Sequence, residues 1–296
     1  MTGEAPVAAP HGRGRRTART AEAETVAEAT AIHTRILRCM LAVEDSYAYW
    51  QHVDRGVPVK DRARVAFEHR WFGTKSEARL RTIMTDMVER FDAYPEALTL
   101  LQELGTVRSA LRPLICHVHT QLADPIYRRF SGELLPMRRA QGLTTIDRET
   151  VARWIDGLEP GRWSSTTCIK FASNLLATAL DAGLVNGRRD PRKLPALAVP
   201  DVVLGYVLYL LRGVRIEGSI TDNPYLWSLG VAPGNFASFA ARIPGIQFAE
   251  LGGVIDLTWV DAPQQLSTRQ LLAQEAVNFA AHVVSATLTC ETRKLA

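Results

Sequence analysis

From Trp163 to Lys193 the chain reads W-S-S-T-T-C-I-K-F-A-S-N-L-L-A-T-A-L-D-A-G-L-V-N-G-R-R-D-P-R-K, a stretch that admits few local folds. Two serines and two threonines follow Trp163, and their hydroxyls suit the open amides at the start of a helix. Gly183 suits the left-handed residue that ends one. The pattern predicts a helix from Ser164 or Ser165 to about Asp181. With about 100° of rotation per residue, Cys168, Ala172, Leu175, Leu176 and Ala179 fall on one side. Thr166, Thr167, Lys170, Asn174 and Thr178 fall on the other. The first side is expected to pack and the second to stay open.

The flanking residues extend this pattern. Asp147 to Gly157 reads as a shorter helix with Val151, Trp154 and Ile155 as its apolar stripe, and Pro160-Gly161 makes the turn between the two helices. Asn186-Gly187 is a pair preferred in tight hairpins. Arg188, Arg189, Arg192 and Lys193 would line the hairpin tip or its return strand, which Pro191 keeps short. Helix, turn, longer helix and basic hairpin together have the order of a winged helix-turn-helix. In that reading Ser165, Thr166, Thr167, Lys170 and Asn174 face a DNA groove while the wing cations hold phosphates. An ordinary helix pair with a solvated basic loop has the same local signature.

Charge separates the two readings. The net charge is only +4, yet residues 127–193 carry 12 Lys and Arg against 7 Asp and Glu, and residues 1–20 carry 4 against 1. Residues 21–126 carry 13 against 15 and residues 194–296 carry 6 against 8, so both are slightly acidic. Positive charge gathered beside a groove-sized helix releases counterions from a phosphate backbone, and this favours nucleic-acid binding.

The remaining chain reads as mainly α. Residues 1–24 form a basic arm that has no apolar core for a signal peptide and is expected to be disordered. A bundle is expected over residues 25–142. It opens with a long amphipathic helix from Ile32 to His52 and continues with helices over Val59–Trp71, from Ser76 to Tyr94, over Glu96–Leu104 and Val107–Leu122, and from Asp124 to Arg139. Residues 143–296 hold the winged-helix-like region, a buried helix from Val199 to Leu211, and short helices over Asn223–Leu229 and Gly234–Arg242. A hairpin around Gly252-Gly253 and a closing helix from Ser267 to Leu288 complete it.

Little in the chain points to catalysis. Cys39, Cys116, Cys168 and Cys290 are scattered with no C-x-x-C pair, which fits a reducing cytoplasm and gives no zinc finger. Cys116-His117-Val118-His119 concentrates metal-ligand types, but on a helix His117 points away from the other two. Neither a phosphate-binding loop nor a dinucleotide fingerprint occurs, and no cofactor is indicated. The longest apolar run, Val202 to Leu211, is far short of the ~20 residues that span a bilayer. A non-enzymatic protein with no membrane segment is expected.

Several pieces in order resemble the BrxA family of the BREX (bacteriophage exclusion) defence systems. They are Ser76-Glu77-Ala78-Arg79, Arg90-Phe91, Ser165 and Thr167 with Leu176, Leu180 and Ala182-Gly183-Leu184, then Leu194-Pro195, and finally Gly253, Ile255, Leu257 and Trp259. The resemblance covers about residues 65–260. It implies a double-stranded-DNA-binding accessory protein that acts beside an adenine methyltransferase, an ATPase and a phosphatase-like component, with an N-terminal bundle similar to the NusB fold. Two other readings stand beside it. One is a scaffold that recruits defence proteins without touching DNA, and the other is RNA binding through the N-terminal bundle, against which its acidic balance counts.

Overall fold

A computed structural model of the protein describes residues 26–243, 246–251 and 254–259. The expected basic arm, the Gly252-Gly253 turn and the closing helix lie outside the described residues. The described part is mainly helical. It begins with β1 (Val26–Ala27), a 3-10 turn (Arg35–Leu37), α1 (Val43–His52), α2 (Val59–Glu68) and α3 (Glu77–Met87), which runs into a π-turn at Val88–Asp92. Next come α4 (Pro95–Glu103), α5 (Arg112–Ala123), α6 (Pro125–Arg129), a second π-turn (Phe130–Leu134) and α7 (Leu135–Ala140).

The second half holds β2 (Thr145–Ile146), α8 (Arg148–Leu158), α9 (Ser165–Asp181), β3 (Arg192–Lys193), α10 (Asp201–Arg212), β4 (Val214–Arg215), α11 (Pro224–Ser228) and α12 (Pro233–Ala240). β5 (Ile246–Leu251) and β6 (Val254–Trp259) form the expected antiparallel hairpin, with Ile246 opposite Trp259. β1 pairs in parallel with β4, so the start of the described chain is tied to the residues that leave α10.

Helix starts follow local chemistry. The side chains of Asp124, Asp147, Ser164 and Asn223 accept from the amides of Tyr127, Thr150, Thr167 and Leu226 at 2.9, 2.7, 3.3 and 3.0 Å. Each satisfies a donor that the helix itself cannot. Pro95, Pro125, Pro224 and Pro233 occupy first-turn positions, where the missing N–H costs nothing.

The expected continuous helix from Ile32 to His52 is interrupted, and a distant residue explains why. Arg90 is buried and pairs with Asp86 at 2.6 Å. Its guanidinium donates to the carbonyls of Cys39, Met40 and Leu41 at 3.1, 2.7 and 2.9 Å. Backbone directed at a guanidinium is not laid along a helix axis, and the chain enters α1 through Ala42 at φ 50°. The helix expected from Val107 likewise starts later, at Arg112, whose Nε donates to the Val107 carbonyl at 2.9 Å.

One apolar cluster runs from Ile36 through Ile246, crossing the expected boundary at Gly142. α10 is buried from Val202 to Leu211 and serves as a central strut. α5 ties it to the bundle. The His119 Nδ1–H faces the Arg90 carbonyl at 2.7 Å, and Nε2 faces the Tyr206 hydroxyl at 2.6 Å. A carbonyl can only accept, so Nδ1 carries the proton and Tyr206 donates to Nε2. No helix among the described residues is long and apolar enough to cross a membrane.

Candidate nucleic-acid interface

α8 and α9 pack through Val151 and Ile155 on one side and Cys168, Phe171, Ala172 and Leu175 on the other, all buried. Trp163 closes the turn between them, its ring 5.0 Å from that of Phe171, and the Arg162 guanidinium lies 5.0 Å from the Trp163 ring. Gly161 at φ 76° and Gly183 at φ 77° take the left-handed conformation that the turn and the helix end require. The Asp147 carboxyl is held below the usual carboxylate range, first by the Thr150 amide it accepts from.

β2 and β3 place the basic loop beside these helices. They run antiparallel, with Thr145 opposite Lys193 and Ile146 opposite Arg192. Asn186 and Lys193 exchange both backbone hydrogen bonds at 2.8 and 2.9 Å, and Leu194 N–H donates to the Thr144 carbonyl at 2.8 Å. The loop therefore closes at Asn186 and Lys193 and presents Arg188 and Arg189, both exposed, at its tip.

The nine residues singled out by sequence separate into two sets. Ser165, Thr166, Lys170, Arg188, Arg189 and Lys193 are exposed. Thr167 is half-buried, with its hydroxyl 3.0 Å from that of Ser164. Asn174 is turned inward, its Nδ2 donating to the Ile36 carbonyl at 3.0 Å, and Thr178 is fully buried. The expectation of a wholly open second face is corrected here: the Arg35–Leu37 turn packs on it and takes up the amide of Asn174. Arg192 is also drawn in, half-buried with Nε 3.5 Å from the Asp190 carboxylate, so it presents little of its charge outward.

Between its exposed end residues, Ser165 and Asp181, α9 keeps an exposed stripe of Thr166, Ile169 and Lys170, with Ser173 half-exposed at its end. Its Ile169 edge borders a groove of about 550 Å³ between α8, α9 and the loop. That groove is lined by charges of both signs, among them Asp147, Arg148, Arg153, Asp156 and Asp190. Arg148 and Arg153, both exposed, were not assigned from sequence, although they contribute to the basic count of residues 127–193. Their position on the outer side of α8 was the available signal. No family model and no curated protein sequence matches the chain.

Metal chemistry finds no footing in the Cys116–His119 run. His117 lies between the hydroxyls of Tyr127 and Ser228, at 2.8 Å from each. Ser228 spends its proton on the Tyr225 carbonyl at 2.6 Å, so His117 Nε2–H donates to Ser228 and Nδ1 accepts from Tyr127. Burial pushes His117 down to about 3 and His119 down to about 4, which leaves both neutral. The same cause pushes the Cys116 thiol up to about 12. No group of three or more His, Cys, Asp or Glu suited to a metal occurs among the described residues.

Proposed function

We propose that the protein is a non-enzymatic, double-stranded-DNA-binding protein of low sequence specificity whose grip is a winged helix-turn-helix-type unit made of β2, α8, α9, the 187–192 loop and β3. The observation that carries the reading is the pairing of β2 with β3 and of Asn186 with Lys193. This pairing holds an exposed diarginine tip beside a capped helix that presents Thr166 and Lys170 outward. In such a unit the helix lies in the major groove while the wing's guanidiniums meet the backbone. The resemblance to the BrxA family extends the proposal to a bacterial anti-phage system, with a methyltransferase, an ATPase and a phosphatase-like protein as neighbours. A NusB-like N-terminal bundle belongs to that same extension.

The test is a gel-shift titration with the double variant Lys170→Glu, Arg188→Glu. Both residues are exposed and hold no structural contact comparable to that of Asn174. Duplex affinity at low salt is expected to fall at least tenfold, and unchanged affinity refutes the reading. A scaffold role has one observation in its favour. The α8–α9 groove carries Asp147, Asp156 and Asp190 beside its arginines, a mixed-charge lining that suits a protein surface better than a phosphate backbone. Capture of defence proteins by the same double variant, with DNA affinity absent from both proteins, would favour that role.

A further inference from the structure

A second basic feature lies outside the helix pair and its loop. Arg35 and Arg38 from the N-terminal turn, with Arg81 and Thr82 from α3, line a surface cavity of about 230 Å³ whose floor includes Cys39 and Asp86. Arg38 and Arg81 are exposed, and Arg79 stands beside them with Nη1 on the Arg38 carbonyl at 3.0 Å. The acidic groups nearby are largely committed. Asp86 pairs with the buried Arg90 at 2.6 Å, and burial pushes the Cys39 thiol up to about 12, so neither adds free negative charge to the floor. Arg35 reaches Glu89 at 2.9 Å and Arg81 reaches Glu77 at 2.7 Å, but these are solvent-screened surface ion pairs that contribute little and exchange readily for an incoming oxyanion. The Thr85 hydroxyl at the rim is spent on the Arg81 carbonyl at 3.0 Å, which leaves Thr82 as the neutral side-chain donor.

The placement of this cavity gives it a meaning. The Ile36 carbonyl accepts from Asn174, and the Ile32 carbonyl accepts from Arg162 at 3.2 Å, so the segment that carries Arg35 and Arg38 is fastened to α9 and to the turn before it. On the helical wheel of α9, Asn174 and Ile169 mark opposite edges of the exposed stripe. The Ile169 edge borders the groove that contains Asp190 of the basic loop, and the Asn174 edge borders Ile36. A duplex laid along the stripe would run between that groove on one flank and the segment that carries Arg35 and Arg38 on the other.

We propose that the Arg35–Arg38–Arg81 cavity is a binding site for one backbone phosphate of the duplex held by α9, so that DNA is clamped from both flanks. The proposal rests on the DNA-binding reading above, and it gives the N-terminal bundle a direct part in the grip. Three arginines lining one cavity suit a phosphate diester, because a guanidinium offers it paired N–H donors.

The experiment measures duplex affinity by fluorescence anisotropy over a series of salt concentrations, for the wild type, for Arg38→Ala with Arg81→Ala, and for the Lys170→Glu, Arg188→Glu variant. Thermal melts check that each protein is folded. The alanine pair is expected to weaken binding at low salt and to reduce the slope of log affinity against log salt by about 0.9, the value for one lost phosphate contact. An unchanged slope overturns the clamp, whatever the other variant does. If the alanine pair reduces the slope while the Lys170, Arg188 variant binds as wild type does, the α9 reading falls and the two-sided clamp with it, and the cavity alone is left as a phosphate contact. Inorganic phosphate provides the control for a free anion. If it raises the melting temperature of the wild type but not of the alanine pair, while the duplex slope is unchanged, the site serves a small anion and the clamp is refuted. Arginine-dependent competition by RNA that exceeds competition by duplex DNA refutes it as well.

Discussion

Two neutral histidines in the core make acid stability a direct test of how α5 is held. His117 and His119 are fully buried, and their pKa values lie at about 3 and about 4, below an ordinary value of 6.5. Desolvation of the imidazolium is the leading cause for both. Because the folded values are lower, the unfolded chain takes up protons first. Stability attributable to these residues is therefore complete above about pH 7 and falls as pH drops from the unfolded value towards the folded ones. At pH 5 each unfolded imidazole sits about 1.5 units below its pKa, so protonation favours the unfolded state by about 2 kcal/mol per residue and about 4 kcal/mol for the pair.

The assay is urea unfolding of the wild type and of His117→Gln with His119→Gln at several pH values. The variant keeps one hydrogen-bonding end at each site and cannot titrate. Its deficit relative to the wild type at pH 7 should shrink by about 4 kcal/mol at pH 5. His117→Gln alone should show about half of that and covers the case in which the pair fails to fold. Burial also raises Asp124, whose effect has the opposite sign, but it is present in every variant and cancels in the difference. A deficit that stays constant from pH 7 to pH 5 would mean that the histidines are solvated or already charged, and the reasoning would be refuted.

Two further outcomes concern the backbone. A Cβ on Gly132 would lie 2.4 Å from the Pro224 carbonyl oxygen, so Gly132→Ala should lower the urea midpoint by the equivalent of about 2–3 kcal/mol. Gly157, where a Cβ meets nothing, should by contrast gain about 0.5–1 kcal/mol on change to Ala, and equal effects at the two sites would refute the packing of α11 on the π-turn. Ser164→Ala removes the cap of α9 and should cost about 1 kcal/mol, lowering the melting temperature by roughly 2–4 °C. Differential scanning calorimetry checks this, and an unchanged melting temperature would show that the cap is idle.

The parts of this fold that were legible in the sequence are those decided within a few residues. Asp147, Ser164 and Asn223 announce helix starts because a cap acts on an amide three residues away. The 246–259 hairpin is legible from alternation alone. What escaped is decided at long range. Nothing near Cys39, Met40 and Leu41 says that their carbonyls will meet a guanidinium about fifty positions later. The arginine cavity escaped for a different reason. Its cations lie in residues 21–126, where 13 basic and 15 acidic residues cancel in a count by segment, although the fold gathers several of the former at one surface.

The same long-range effect sharpens what α9 can do. A helical wheel has two sides only while the helix has one neighbour, and the Arg35–Leu37 turn gives α9 a second one. That neighbour takes up Asn174, the one side chain on the presented face able to make the paired hydrogen bonds that distinguish adenine in a major groove. Hydroxyls, an isoleucine and one lysine remain on the exposed stripe, and a lysine makes a point contact where an arginine would make a fork. The exposed arginines stand away from that stripe, in the loop and around the cavity, and under the proposed function they would meet phosphate oxygens in place of base edges. Under the proposed function, then, low specificity follows from where the N-terminal turn packs: the contact that joins bundle to helix removes a base reader and adds a backbone grip in the same place.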